Sequence, residues 1–207
     1  MPFQLALDEV LFHRAKKNHG PTLRFYFSSE PWSTLGYSQK GFHQNGIPAC
    51  RRITGGGKVL HGKDLIFSLT SQKEHDEIFS SVRMSYLKIH EAVKLAFESL
   101  GKTAEFYRCD ENLPRGKDCF LFPIATDLRL GKHKIAGGAQ KRSHGALLHE
   151  ESIKLEGVDA DALTKTLRQA FEKIFQMKII AANLEPAWLN EAKAVAAKKY
   201  SPQGFLS

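Results

Sequence analysis

Residues 119–142 constrain the fold more than any other stretch of this 207-residue chain, because two alternating segments flank a turn and run into paired glycines. Leu128 and Leu130 alternate with polar residues, Gly131-Lys132 supplies the turn, and Lys134 and Ala136 alternate beyond it, which is the pattern of a β-hairpin. Lys134 is then held on the second strand. Gly137-Gly138-Ala139 behind it presents backbone almost bare of side chains, suited to the close approach of an extended ligand. Cys119 stands fifteen positions before Lys134, so a thiol and an amine border one hairpin and mark a candidate acyl-transfer site.

The rest of the chain supplies a sheet and helices to hold that hairpin. Helical spacing of Phe3, Leu7, Val10 and Leu11, ended by Gly20-Pro21, predicts an amphipathic helix over residues 3–18. Leu23, Phe25 and Phe27 alternate as a strand, a short one runs through Ser33-Thr34-Leu35, and Leu65, Phe67 and Leu69 alternate after a glycine-rich stretch. Residues 72–79 and 108–118 read as loops, being polar or without period. Tyr86, Ile89, Val93, Phe97 and Leu100 mark a long helix stopped by Gly101, and a returning strand spans residues 146–154. Asp159 caps a helix whose face is Leu163, Leu167, Ala170, Phe171, Ile174 and Phe175, and Pro186 opens a last helix. Strands come in runs with helices between the runs. The expected fold is therefore α+β: a mixed or antiparallel sheet with helices packed on one face, in a single domain over residues 1–207.

Thirty Lys and Arg against 22 Asp and Glu leave a formal charge of +8, which attracts acidic partners. The basic residues are scattered in pairs such as Arg51-Arg52 and Lys141-Arg142, without the aromatic signature or one-sided basic helix of nucleic-acid binding, so an acidic protein partner is expected and nucleic acid is not. No run approaches the ~18 apolar residues of a membrane span, and no basic segment with an apolar core opens the chain. A soluble, cytoplasmic protein is expected. Cys50, Cys109 and Cys119 are odd in number and lack C-x-x-C spacing, which argues against a disulfide framework or a zinc site. His144 and His149 fall on opposite faces if they share a strand; with His133 they read as surface residues, and no metal is expected.

Thr54-Gly55-Gly56-Gly57-Lys58 fails as a phosphate loop, since Arg52 and Val59 stand where Gly and Ser or Thr belong and an alternating strand follows. It is either a structural glycine bulge or a ligand-facing loop, and Arg51, Arg52 and His61 favour the second. The run Arg51 to Leu65, then Gly131 to Arg142, then His-Gly-Ala-Leu-Leu at 144–148, resembles the biotin/lipoate protein ligase superfamily, as do Ala6-Leu7-Asp8-Glu9 and Lys199-Tyr200 near the ends. The resemblance implies an α+β fold with a mixed sheet. It also implies that Arg52, Thr54, Gly55, Gly56, Gly57 and His61, with Gly137, Gly138, Ala139 and Gln140, bind a medium-chain acyl group whose activated carbonyl meets Lys134. The family commonly has Ser or Thr after the glycine that opens its returning strand. Gly145-Ala146 departs from this, and the missing hydroxyl is expected to leave a polar group near Lys134 without a partner, provided that side chain faces the site.

Cys119-Phe120 matches the Cys-Phe pair that the ligase-like octanoyltransferases of this superfamily place upstream of the hairpin lysine, and a chain ending at Ser207 leaves no room for the accessory domain of a ligase. The implied reaction moves an octanoyl group from acyl carrier protein through a Cys119 thioester to a lysine of lipoyl domains, including glycine-cleavage H-type protein. A cysteine is only a few per cent thiolate at neutral pH, and a nearby ammonium such as Lys134 raises that fraction. Thioester exchange is roughly energy-neutral and amide formation is downhill, so no cofactor is expected. On physical grounds alone Cys119 reads first as a buried small hydrophobe, the commoner fate of a cysteine, and Cys50, beside Arg51 and Arg52, is a rival thiol; family position favours Cys119 as the nucleophile and ranks Cys50 as core. Two other readings remain: an ATP-dependent lipoate-protein ligase subunit with a separate accessory chain, and a non-catalytic carrier-protein-binding or nucleic-acid-binding relic.

Overall fold

The computed structural model describes residues 1–17, 20–39, 46–75, 77–107, 120–121, 124 and 126–200. Cys109, Cys119 and residues 108–118 lie outside the described residues. In chain order the elements are α1 (Pro2–Ala15), β1 (Thr22–Ser28), β2 (Trp32–Leu35), β3 (Ala49–Arg51), β4 (Val59–His61), β5 (Asp64–Gln72), α2 (Glu77–Ser80) and α3 (Val82–Glu98). They continue with β6 (Ala104–Phe106), β7 (Leu128–Leu130), β8 (His133–Ser143), β9 (Ala146–Lys154), α4 (Ala160–Phe175) and α5 (Pro186–Val195).

Among the described residues, six strands pair antiparallel in the order β1-β5-β9-β8-β7-β6, and a smaller sheet runs β3-β2-β4 with β2 parallel to β3 and antiparallel to β4. The fold is α+β with mixed strands. β5 and β9 lie inside the large sheet, and their pleat sends Leu65, Phe67, Leu69, Leu147 and Ile153 to one face, where they pack on Ile89, Val93 and Phe97 of α3 and Leu163, Leu167 and Phe171 of α4. The opposite face is covered too. Ser68 donates to Asp8 of α1, and Ala146 and Leu148 pack with Phe12 and Ala15, while α5 and the π-helical turn Ala196–Tyr200 close over α1 through Ala192 and Tyr200. Helices thus cover both faces rather than one, because the central strands carry side chains that need burial on both.

Residues 72–79 are not simply a loop. A 3₁₀ turn, Lys73–His75, leads into α2, whose Phe79 is buried and stacks on Phe175 with ring centroids 5.5 Å apart; one aromatic anchors a segment whose charges otherwise face out. Asp159 caps α4 as expected, accepting from the Ala162 N–H at 2.9 Å.

The hairpin departs from plain alternation in a way that matters for the site. Leu128 pairs with Ala136 and Arg129 with Lys134, so Ile135 is the extra residue of a β-bulge. Ile135 and Ala136 are consecutive yet both enter the core under α3 and α4. Lys134 is turned instead toward Phe120, whose ring it shares with Lys154 at 5.5 and 4.8 Å from Nζ to centroid.

Candidate active site

Thr34, Arg52 and His61, with Gly137, Gly138 and Ala139 of β8, converge on one cavity whose empty volume of about 380 Å³ is partly open to solvent. Leu5, Val59 and Ile66 give it an apolar wall, which suits an alkyl chain. The glycine loop owes its shape to Arg52, which is buried and donates to the carbonyls of Gly55 (2.7 Å), Gly57 (2.6 Å) and Thr34 (3.2 Å). Gly56 between them has φ of 80°, a left-handed backbone that disfavours any side chain. The Gly55 N–H donates to the Gln140 carbonyl at 3.3 Å and ties the loop to β8.

His61 is held from both sides. The Thr34 hydroxyl accepts from Arg52 at 3.2 Å and so has its own proton for His61 Nε2 at 2.8 Å, leaving His61 Nδ1–H to donate to Asp64 at 3.1 Å. Burial lowers the His61 pKa against the pull of Asp64, which keeps this imidazole neutral. Asp64 also accepts from Ser152 (2.7 Å) and Lys154 (2.7 Å); burial would raise its pKa, but His61 and Lys154 outweigh burial and hold it below the ordinary carboxylate value. Glu150, on the same face, accepts from the Thr54 hydroxyl and is pushed up to about 7 by burial and by the nearby Asp8 carboxylate.

Lys134 stands beside the cavity rather than in its wall. Nearly buried, it donates to Asp127 Oδ2 at 2.5 Å, and the same oxygen accepts the Ile124 N–H at 2.7 Å. Burial raises the Asp127 pKa and Lys134 opposes the rise. Phe120, which follows Cys119 in the chain, therefore packs against two lysine ammonium groups at the edge of the site.

The structure brings Arg52, His61, Gly137, Gly138 and Ala139 together around the cavity, with Thr54, Gly55, Gly56 and Gly57 behind them as the fastened loop. Gln140 contributes its carbonyl to that loop, but its side chain lies on the other face of β8, where it meets Ser85 and His149. A Cβ at Gly138 would fall 2.2 Å from Glu151 Oε2 and 2.6 Å from His149, so the space left by this glycine is filled by protein. His149 is fully buried, not at the surface. Ala146 lies in the apolar cluster with Phe12, Ile53 and Leu148, paired with Ser143 at the end of β8 remote from Lys134, so the condition for an orphaned polar partner is not met. Cys50 is core: its thiol donates to the Tyr200 carbonyl at 3.4 Å, and burial pushes it up to about 11. Reading by motif missed Thr34, Asp64, Asp127, Glu150, Ser152 and Lys154, whose roles rest on long-range contacts; the one local signal was acids inside otherwise buried strands.

A braced glycine loop, an apolar cavity and a buried lysine beside it thus meet at one place on the α+β sheet. The family model of the lipoyl protein ligase A/B catalytic domain matches residues 1–187, and the chain belongs to that family. Octanoyltransferase LipM of Oceanobacillus iheyensis is 34% identical over 160 residues, covering 73% of this chain and 59% of that protein. Octanoyltransferase LipM of Bacillus subtilis is 31% identical over 204 residues, covering 87% of this chain and 73% of that protein. The chain thus spans from under two thirds to about three quarters of these relatives' lengths. A chain from the structure of a bipartite lipoate protein ligase and its E2 lipoyl domain from Thermoplasma acidophilum superposes with a TM-score of 0.75 at 21% identity, over 99% of this chain and 91% of that one. Both relatives are named octanoyltransferases and are more than 30% identical to this chain over most of its length. No helix among the described residues is long and apolar enough to cross a membrane.

Proposed function

We propose that this chain is an octanoyltransferase that moves an octanoyl group from acyl carrier protein to a lysine of lipoyl domains by way of Cys119, acting as one catalytic domain in the cytoplasm. The observation that carries the reading is the docking of Phe120, the residue after Cys119, on the ammonium groups of Lys134 and Lys154 at the edge of the apolar cavity. In the first step the Cys119 thiolate attacks the carrier thioester carbonyl, a new C–S bond forms, and the carrier thiolate leaves and takes up a proton. In the second step the acceptor amine attacks the enzyme thioester, the amide C–N bond forms, Cys119 leaves as thiolate, and the amine loses a proton to solvent. Lys134 faces the carbonyl oxygen as negative charge develops on it. Arg52, Thr54, Gly55, Gly56, Gly57, His61, Gly137, Gly138, Ala139 and the Gln140 carbonyl shape the acyl pocket. The +8 charge steers the acidic carrier and lipoyl domains, and high salt slows their association.

Incubation with octanoyl carrier protein, without acceptor or ATP, is expected to add one octanoyl group as a hydroxylamine-sensitive thioester. Cys119→Ser abolishes the adduct, and Cys50→Ser does not. An adduct on Cys50 overturns the site assignment. Failure to acylate any cysteine, with lipoyl domains modified only when ATP and lipoate are supplied, replaces the transferase by a ligase.

A further inference from the structure

Behind the lysine, on the α3 side of the sheet, lies a buried group of side chains that the proposed reaction does not use. His90 of α3, fully buried, donates from Nδ1 to the carbonyl of Thr126, the residue before Asp127. Its Nε2 lies 3.1 Å from Glu151 Oε2 of β9, and His149 Nε2 lies 2.8 Å from the same oxygen. Protonation follows from the partners. Gln140 turns its Oε1 to Arg142 Nε (3.0 Å), so its Nε2 donates to His149 Nδ1 at 3.1 Å, and His149 must carry its proton on Nε2 and give it to Glu151. A carbonyl is only an acceptor, which makes His90 Nδ1 a donor; with Glu151 ionised, Nε2 is a donor as well, and His90 is an imidazolium.

We infer that His90 is a buried imidazolium that positions Lys134 by anchoring the Thr126–Asp127 turn, with Glu151 as the counter-charge that keeps it protonated. Four buried charges then alternate from the site to the helix: Lys134 and His90 positive, Asp127 and Glu151 negative. The groups facing His90 agree with this. Against burial, Glu151 and Asp127 raise its pKa, Glu151 is itself held at about 2 by His90 and His149, and burial keeps His149 lowered; from α3 itself Tyr86 offers a ring edge-on at 6.1 Å. Gly138 is part of the device, because any side chain there would occupy the space of the Glu151 carboxylate. The inference rests on the proposed role of Lys134, to which His90 is a positioning residue.

The test uses the full chain with ¹⁵N-labelled histidine. At about pH 8, where an ordinary imidazole is neutral, His90 is expected to keep both ring protons and His149 to be neutral with its proton on Nε2; a neutral His90 in the unsubstituted chain overturns the inference. In His90→Gln, shown to be folded by its amide spectrum, acetic anhydride should label Lys134 roughly tenfold faster as the Asp127 pairing loosens. Octanoyl transfer should lose kcat by about the same factor while KM for octanoyl carrier protein stays within about twofold. Unchanged Lys134 labelling in the folded variant overturns the inference. Glu151→Gln sharpens it: His90 should then titrate near the ordinary histidine range, and Lys134 labelling should acquire that pH dependence; a His90 still charged at about pH 8 in this variant contradicts the assigned counter-charge. Spectrum and labelling need no turnover, so a chain that fails to acylate Cys119 refutes the proposed function without touching this result.

Discussion

Glu150 and Glu151 are consecutive on β9 and both buried, at 7% and 1% exposure, yet the pleat sends them to opposite faces and their pKa values part in opposite directions. Glu150 faces the cavity, meets the Asp8 carboxylate and one hydroxyl, and is pushed up to about 7. Glu151 faces α3, takes two imidazoles on one oxygen, and is held at about 2. Burial acts alike on both, raising the pKa; the partners decide the outcome. A carboxylate with cationic and N–H partners stabilises the fold when ionised, whereas one beside another carboxylate holds its proton into the neutral range and is strained when it lets go.

Replacing each acid by its neutral isostere breaks the comparison in opposite senses. Glu151→Gln has the largest expected effect, a loss of about 3 kcal/mol at neutral pH, since a pKa near 2 against an ordinary 4.5 is worth roughly that much when fully expressed. This stabilisation is complete above pH 4.5 and disappears as the pH falls toward 2, so the unfolding curves of parent and variant should converge in acid. Glu150→Gln should do the reverse. The folded carboxyl keeps its proton where the unfolded one has lost it, so the parent loses stability as pH rises from 4.5 to about 7, and the variant should be more stable by up to about 3 kcal/mol above that range and equal below it. Denaturant titrations across pH check both, and two variants shifting the same way would refute the assignment of partners to faces.

The same strand shows what the sequence made legible and what it left hidden. Alternation and glycine turns located β5, β8 and β9, and the Asp159 cap and the apolar spacing located α3 and α4, because these signals are local. Lys134 was placed on its strand correctly, but the bulge at Ile135 that turns it toward Phe120 has no signature in an alternating run. The cavity residues Arg52, His61, Gly137, Gly138 and Ala139 came from motif resemblance. Asp127, Glu150, Glu151 and His90 went unread because each depends on a partner at long range: His90 and Glu151 are 61 positions apart. His149 seemed a surface residue only while its face of β9 was unknown. Two acids inside a strand whose other residues want burial were the available clue that both faces needed polar partners.

The smallest expected effect sharpens the comparison along the strand instead of across it. On the cavity-side face, β9 passes from Lys154, Ser152 and Glu150, which share polar partners, to Leu148 and Ala146, which pack with Phe12, Ala15 and Ile53. A hydroxyl at position 146 therefore meets apolar atoms at the end of the hairpin remote from Lys134. Ala146→Thr should cost about 1 kcal/mol through overpacking and an unmet hydroxyl, seen as a lower Tm, while the transfer rate per folded molecule stays within about twofold. A faster rate with unchanged Tm would mean that the hydroxyl reaches the site after all, and that the polar part of this face extends further along β9 than the packing around Ala146 indicates.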